Sequence, residues 1–134
     1  MVTEIKQNEI VKGILIDPEK ETVAEIELTR DAEGSVLKEL YRVIGCECVD
    51  CLRDCVGVNG NVKNDDIWVD DEALLNDPRH FWRLSAWYQK DSFIAGRAVI
   101  LDYDPRDGGS MAHSLTPAEV ADLRAIVEFA HMEE

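Results

Sequence analysis

The sequence predicts a single α+β domain with a mostly antiparallel sheet and two main helices, at about residues 35–44 and 117–132. Three observations support this fold class. The chain has 134 residues, which is the length of one ordinary domain. Short apolar or alternating segments are separated by turn signals, as in antiparallel strands. Two other segments carry apolar residues at helical spacing. No repeat or linker divides residues 1–134, so we expect one domain.

The first two predicted strands form an antiparallel hairpin. Residues 10–16 are mainly β-branched and end at a proline-containing turn, 17–20. Residues 23–29 alternate between apolar side chains on one face and Glu25 and Glu27 on the other. This alternation is typical of a strand with one buried face, and it places the two glutamates on an acidic outer face.

The first helix follows this hairpin. The apolar residues of segment 35–44 recur at helical spacing, so one face of the helix can pack against the sheet. Ser35 is suited to the N-cap, because its hydroxyl can accept a hydrogen bond from the first turn. Gly45 is suited to the position that ends the helix.

The middle of the chain predicts a second hairpin and a late strand. Asn59-Gly60 favours a tight hairpin turn, since both residues tolerate positive φ. Residues 67–69 are expected to form the next strand, and the acidic segment 70–78 a short helical turn. The aromatic segment 81–88 is a strand or a loop, and 94–103 is the clearest late strand.

Three signals mark the start of the C-terminal helix. Thr116 can act as the N-cap, Pro117 suits the first helical position, and Glu119 completes a capping box. Apolar residues continue at helical spacing as far as Ala130, so the helix is expected to reach about Met132.

The composition is strongly acidic. The chain has 28 Asp and Glu against 14 Lys and Arg, a formal net charge of −14. Surfaces that bind nucleic acid or anionic membranes need clustered Lys and Arg, so direct binding to either is not expected. There is no secretory signal pattern, and no apolar run approaches the roughly 20 residues that span a membrane. We therefore expect a soluble, cytoplasmic protein.

The acids are concentrated in two segments. Residues 17–33 contain seven acids and residues 65–77 contain six, whereas residues 79–106 contain five bases and three acids. Carboxylates at positions i and i+2 of a strand lie about 6.6 Å apart on one face, a row that can imitate a nucleic-acid backbone. A solvated face that only keeps the chain soluble is the alternative. The expected partner is a protein with a basic surface. The predicted partner-binding residues are Glu25, Glu27, Asp65, Asp66, Asp70, Asp71 and Glu72.

All four cysteines lie within ten residues, at Cys46, Cys48, Cys51 and Cys55. Thiolates this close together suggest a zinc ion or an iron–sulfur cluster. One tight loop leaves little room for a tetrahedral site, however, and free cysteines are often small buried apolar residues. A metal-binding module formed by these four residues is thus the first alternative function.

No catalytic motif is found in the sequence. His80, His113 and His131 lack metal-ligand spacing, and no carboxylate pair stands out for acid–base chemistry. Asp65-Asp66 and residues 70–72 offer hard oxygen ligands for Ca²⁺ or Mg²⁺, but they lack the spacing of an EF-hand loop. No cofactor is expected. A small enzyme of unknown class is the second alternative to a protein that acts by binding.

Four sequence blocks occur in a fixed order. They are KGILIDP at 12–18, LYRVIGC at 40–46, IWVDDEALL at 67–75 and AGRAVI at 95–100. Together they resemble a family of short proteins carried by phages, plasmids and other mobile elements and catalogued only as a domain of unknown function. The third block is the most specific. The resemblance implies an accessory role on a mobile element and contact with a host protein, such as inhibition of host defence. It carries over no catalytic residue.

Overall fold

The computed structural model describes residues 9–58, 61–76, 78–85, 93–102 and 113–132, with the backbone alone at 53–58, 61–64 and 76. These residues form β1 (Ile10–Asp17), β2 (Thr22–Thr29), α1 (Leu37–Ile44), β3 (Val49–Val58), β4 (Asn61–Asp70), a 3-10 helix (Ala73–Asn76), β5 (His80–Leu84), β6 (Ile94–Ala95), β7 (Ala98–Asp102), α2 (Pro117–Ile126) and β8 (Val127–His131). The predicted α+β fold class is confirmed.

The strands form two antiparallel sheets. The first has five strands in the order β2-β1-β7-β4-β3, and the second has three strands in the order β6-β5-β8. Both predicted hairpins lie in the five-stranded sheet, as β1–β2 and β3–β4. The second hairpin pairs Val58 with Asn61, and the predicted turn residues Asn59-Gly60 lie outside the described residues. No helix in the described ranges is both long and apolar enough to cross a membrane.

The middle of the five-stranded sheet is covered on both faces. One face packs against α1, where Leu40 and Ile44 meet Val99 of β7. The opposite face packs against the three-stranded sheet and α2, where Trp82 meets Ile14 and Leu123. Because β1 and β7 lie inside the sheet, both faces are buried along β7 and along β1 from Gly13 onward, which explains the apolar runs at 14–16 and 98–101.

The signals at three helix ends have different outcomes. Thr116 and Glu119 form the predicted capping box at the start of α2, with both reciprocal hydrogen bonds present. Gly45 ends α1 with φ of +78°, as predicted. The start of α1 differs: the N-cap is Val36, and the Ser35 hydroxyl accepts a hydrogen bond from the backbone N–H of Leu37 at 3.1 Å.

The predicted late strand 94–103 is two strands in different sheets. Gly96 has φ of +79°, a left-handed conformation that an extended ladder does not accommodate. The chain therefore turns between β6, which pairs with β5, and β7, which pairs with β1 and β4. The prediction of a single strand is wrong here, because apolar character alone does not reveal the break.

The C-terminal helix is shorter than expected. α2 ends at Ile126, and the predicted extension to Met132 is wrong because residues 127–131 form β8. β8 pairs with β5 and places Phe129 opposite Trp82. The segment Val-Glu-Phe is compatible with both helix and strand, and pairing with an available strand edge decides between them.

Candidate functional site

Two of the predicted partner-binding acids are buried. Asp65 and Asp66 are each 3 % exposed. They belong to β4, which lies between β7 and β3, and the side chains of residues 65–67 are buried on both of its alternating faces. The prediction that these carboxylates contribute to an exposed acidic face is wrong.

Glu25 and Glu27 are exposed, as predicted. They lie on β2, the edge strand of the five-stranded sheet, opposite Ile14 and Lys12 of β1. Their side chains line a groove of about 380 Å³ whose other wall includes Pro117 of α2. The two glutamates thus form a small acidic surface beside the start of α2.

Asp70, Asp71 and Glu72 lie where β4 leaves the sheet. Asp71 and Glu72 are exposed, and Asp70 is half-buried. The Asp70 carboxylate accepts a hydrogen bond from the backbone N–H of Glu72 at 2.9 Å, and the Asp71 N–H donates to the Cys48 carbonyl at 3.0 Å. These bonds fix the three acids at the end of the strand.

The two acidic regions do not form one surface. β2 and β4 are separated by β1 and β7, which places them about 14 Å apart across the sheet. Asp70–Glu72 also lie at the end of the sheet, whereas Glu25 and Glu27 lie along its edge. A partner would engage each acidic group separately.

Two leucines beside these acids were not predicted as site residues. Leu74 is 75 % exposed and Leu75 is 81 % exposed, in the 3-10 helix that follows Glu72. A helix of four residues is too short to bury two adjacent side chains. The sequence signal for this exposure is the pair of adjacent leucines within the acidic segment 70–78. The acids and leucines together form the acidic–apolar surface: Asp70, Asp71, Glu72, Leu74 and Leu75.

A groove of about 230 Å³ borders this surface. We call it the Phe93 groove. Its apolar side is formed by side chains from the end of β4, the 3-10 helix and β6, and carboxylates lie along it. Arg83 lies 4.6 Å from the centre of the Phe93 ring and contacts Glu128 at 3.0 Å, which positions the ring. The lining residues are Asp50, Val69, Asp70, Asp71, Ala73, Leu74, Phe93, Ile94 and Ala95.

Asp65 lies beside two other carboxylates, those of Asp102 and Glu119. Ligand atoms of the three residues all lie within 4.8 Å of one another. Such oxygens suit Ca²⁺ or Mg²⁺. The sequence paired Asp65 with Asp66 instead, but adjacent strand residues point to opposite faces. Among the described residues this is the one group of three or more candidate metal ligands.

The three described cysteines do not form a metal-ligand cluster. Cys46 and Cys48 lie before β3, and Cys51 lies within it. The side chain of Cys55 lies outside the described residues. Burial raises the pKa of the Cys46 thiol, and the negative charge of Asp70 adds to the effect.

A polar cleft of about 240 Å³ lies at the end of the sheet near Asp17, His80 and Arg97. Asp17 is buried, and its carboxylate accepts hydrogen bonds from the backbone N–H groups of Glu19 and Lys20 at 3.1 and 3.3 Å. Its second oxygen lies 3.4 Å from Nε of Arg97. These contacts give the buried Asp17 carboxylate a structural role, since two of them hold the β1–β2 turn in place.

One family shares the sequence pattern of the chain. Residues 11–128 match the family described as a domain of unknown function (DUF3846). No curated protein and no solved structure gives a significant match to the chain. The family match extends through α2, beyond the blocks that carry the sequence resemblance.

Proposed function

The chain belongs to the DUF3846 family of domains of unknown function, and from this premise we propose that it is a non-enzymatic acidic accessory protein of a phage or plasmid. It acts in the cytoplasm by binding a host protein with a basic surface. The sequence blocks shared with mobile-element proteins support the accessory role, and the charge of −14 supports the kind of partner.

The acidic–apolar surface is the observation that carries this proposal. Asp71 and Glu72 present two carboxylates to solvent directly beside two leucines that are more than 70 % exposed. Exposed apolar side chains rimmed by charge are characteristic of protein-binding sites. The carboxylates favour a basic partner and speed its approach, while the leucines supply apolar area that is buried on binding.

Mimicry of nucleic acid is the mechanism that we favour for this binding. A basic groove that normally holds phosphates can accept carboxylates in their place, which would inhibit a host nuclease or regulator. The acids on β2 and those after β4 present two separate groups of negative charge to such a groove. Binding of this kind weakens as salt concentration rises, as it does for real DNA.

The test is capture of host proteins on the immobilised protein, with DNA as a competitor. The variant Asp71→Lys/Glu72→Lys reverses two exposed charges and keeps the Asp70 hydrogen bond. We expect it to lose the proteins that the wild-type protein captures at low salt. We also expect DNA to displace those proteins, because partner and DNA would compete for one basic groove.

A control variant separates local from bulk charge. Glu33→Lys/Asp122→Lys makes the same change in net charge on the β2–α1 connection and α2. It should retain the captured proteins. Capture that is unchanged by Asp71→Lys/Glu72→Lys, or lost equally in both variants, would rule out the proposed surface. The variant Glu25→Lys/Glu27→Lys reports separately on the acidic edge of β2.

A further inference from the structure

We propose that the Phe93 groove is a docking site for a segment of the partner protein that carries one large apolar side chain flanked by Lys or Arg. The inference rests on the proposed function, because the partner is the same basic protein. It adds the chemistry by which the partner is recognised, namely an apolar anchor with basic neighbours.

The groove has an apolar interior that is open to solvent. Val69 and Ala95 are almost fully buried, whereas Phe93 is 42 % exposed and Leu74 is far more exposed. An apolar side chain inserted between Leu74 and Phe93 would remove water from both. Burying such surface is the main source of affinity at binding hot spots.

The charged residues among the described lining of the groove are all acidic. Asp50 lies at the start of β3, and Asp70 and Asp71 lie at the end of β4. Within the part of the chain that the structure describes, no Lys or Arg lines the groove, and Arg83 is held over the Phe93 ring and paired with Glu128. Three carboxylates around an apolar interior complement a segment with bases on either side of an apolar residue. A second copy of this acidic chain would instead bring further negative charge to the groove.

Paired strands and a helical turn form the walls of the groove. Asp50 pairs with Val69 across β3 and β4, and Ala95 pairs with Phe81 across β6 and β5. The 3-10 helix is closed by a hydrogen bond from the Leu75 N–H to the Glu72 carbonyl at 3.0 Å. A site built on such elements loses little conformational entropy when it binds.

The size of the groove favours a side chain over a small-molecule ligand. Pockets for drug-sized ligands usually enclose about 300–1,000 Å³. The Phe93 groove encloses about 230 Å³ and is open along one side. A single leucine or aromatic side chain, with its backbone left outside, fits that volume.

The test compares two labelled lysine-rich peptides that differ only at the central residue, leucine or serine. Binding to the purified full chain is measured by fluorescence anisotropy. We expect the leucine peptide to bind about tenfold more tightly, the effect of burying one large apolar side chain. Leu74→Ser should abolish this preference.

Leu75→Ser is the matched control. Leu75 is in the same 3-10 helix and is as exposed as Leu74, but it does not line the groove. This variant should keep the tenfold preference. Circular dichroism of both variants shows whether the fold is retained, and Phe93→Ser tests the opposite wall of the groove independently.

The outcomes separate this inference from the proposed function. Equal binding of the two peptides by the wild-type protein overturns the docking groove but leaves charge-based capture of host proteins standing. Loss of preference in Leu75→Ser with retention in Leu74→Ser also overturns it. Self-association in sedimentation that Leu74→Ser prevents would assign the groove to a second copy of the chain. Failure of Asp71→Lys/Glu72→Lys to alter host capture speaks against the proposed function instead.

Discussion

At the scale of single residues, position in the sheet decides which carboxylates a partner can reach. Asp65 and Asp71 are the same residue type six positions apart, yet Asp65 is buried and Asp71 is exposed. The difference arises because β4 runs through the covered sheet and ends at Asp70. Composition and local charge are alike in both places, so they do not distinguish an interior acid from a binding residue.

Gly13 lies where β1 and β7 approach each other too closely for a side chain. A Cβ atom at this position of β1 would lie 2.5 Å from Cδ2 of Leu101 and 2.6 Å from the backbone oxygen of Ile100. The leucine side chain can move, but the backbone oxygen belongs to β7 and cannot move without disturbing the sheet. Close packing of this kind allows no additional methyl group.

We predict that Gly13→Ala destabilises the protein by about 1–3 kcal/mol, the usual cost of overpacking a core. Urea denaturation followed by tryptophan fluorescence measures the free energy of unfolding. Lys12→Ala, at the exposed neighbouring position, is the control and should change stability by less than about 0.5 kcal/mol. Equal stability of Gly13→Ala and the wild-type protein would contradict the close approach of β1 and β7.

At the scale of elements, two helix-end signals predicted their positions correctly, whereas two long apolar patterns predicted the wrong extent of a strand and of a helix. The capping box of α2 and the glycine that ends α1 both appear where the sequence predicts them. Their effects are local hydrogen bonds and backbone angles, which depend on a few adjacent residues. The late strand and the end of α2 depend instead on which strand edge is available for pairing, and that is a long-range property.

The capping box gives an element-scale prediction. Thr116 accepts a hydrogen bond from the Glu119 N–H at 3.2 Å, and Glu119 accepts one from the Thr116 N–H at 3.1 Å. Thr116→Ala removes the first bond and should cost about 1 kcal/mol of unfolding free energy. Thr116→Ser keeps the hydroxyl and should stay close to wild type in the same urea experiment. Equal losses in the two variants would assign the effect to the threonine methyl group.

At the scale of the whole molecule, the net charge of −14 has consequences for stability as well as for binding. Five described acids of the predicted partner set are exposed or half-buried, in two regions separated by the width of two strands. Excess charge of one sign repels itself in the folded state, and salt screens this repulsion. The stability of the folded protein is therefore expected to depend on ionic strength.

We predict that the melting temperature rises when sodium chloride is increased from low to physiological concentration and above. Differential scanning fluorimetry measures this change. The variant Glu33→Lys/Asp122→Lys changes the formal net charge from −14 to −10, and its melting temperature should rise by less. A melting temperature that falls with added salt would mean that attractive ion pairs outweigh the repulsion.

Local sequence patterns were enough to predict the fold class, both hairpins, the core of each helix and the acidic segment after β4. These features follow from side-chain periodicity and from turn and capping residues, whose effects act over a few positions. Long-range contacts, in contrast, bury Asp65 and Asp66, make residues 127–131 a strand and bring Phe93 and Leu74 to one groove. Each of these depends on segments distant in the sequence, because burial and strand pairing are set by whichever element covers a face or completes an edge.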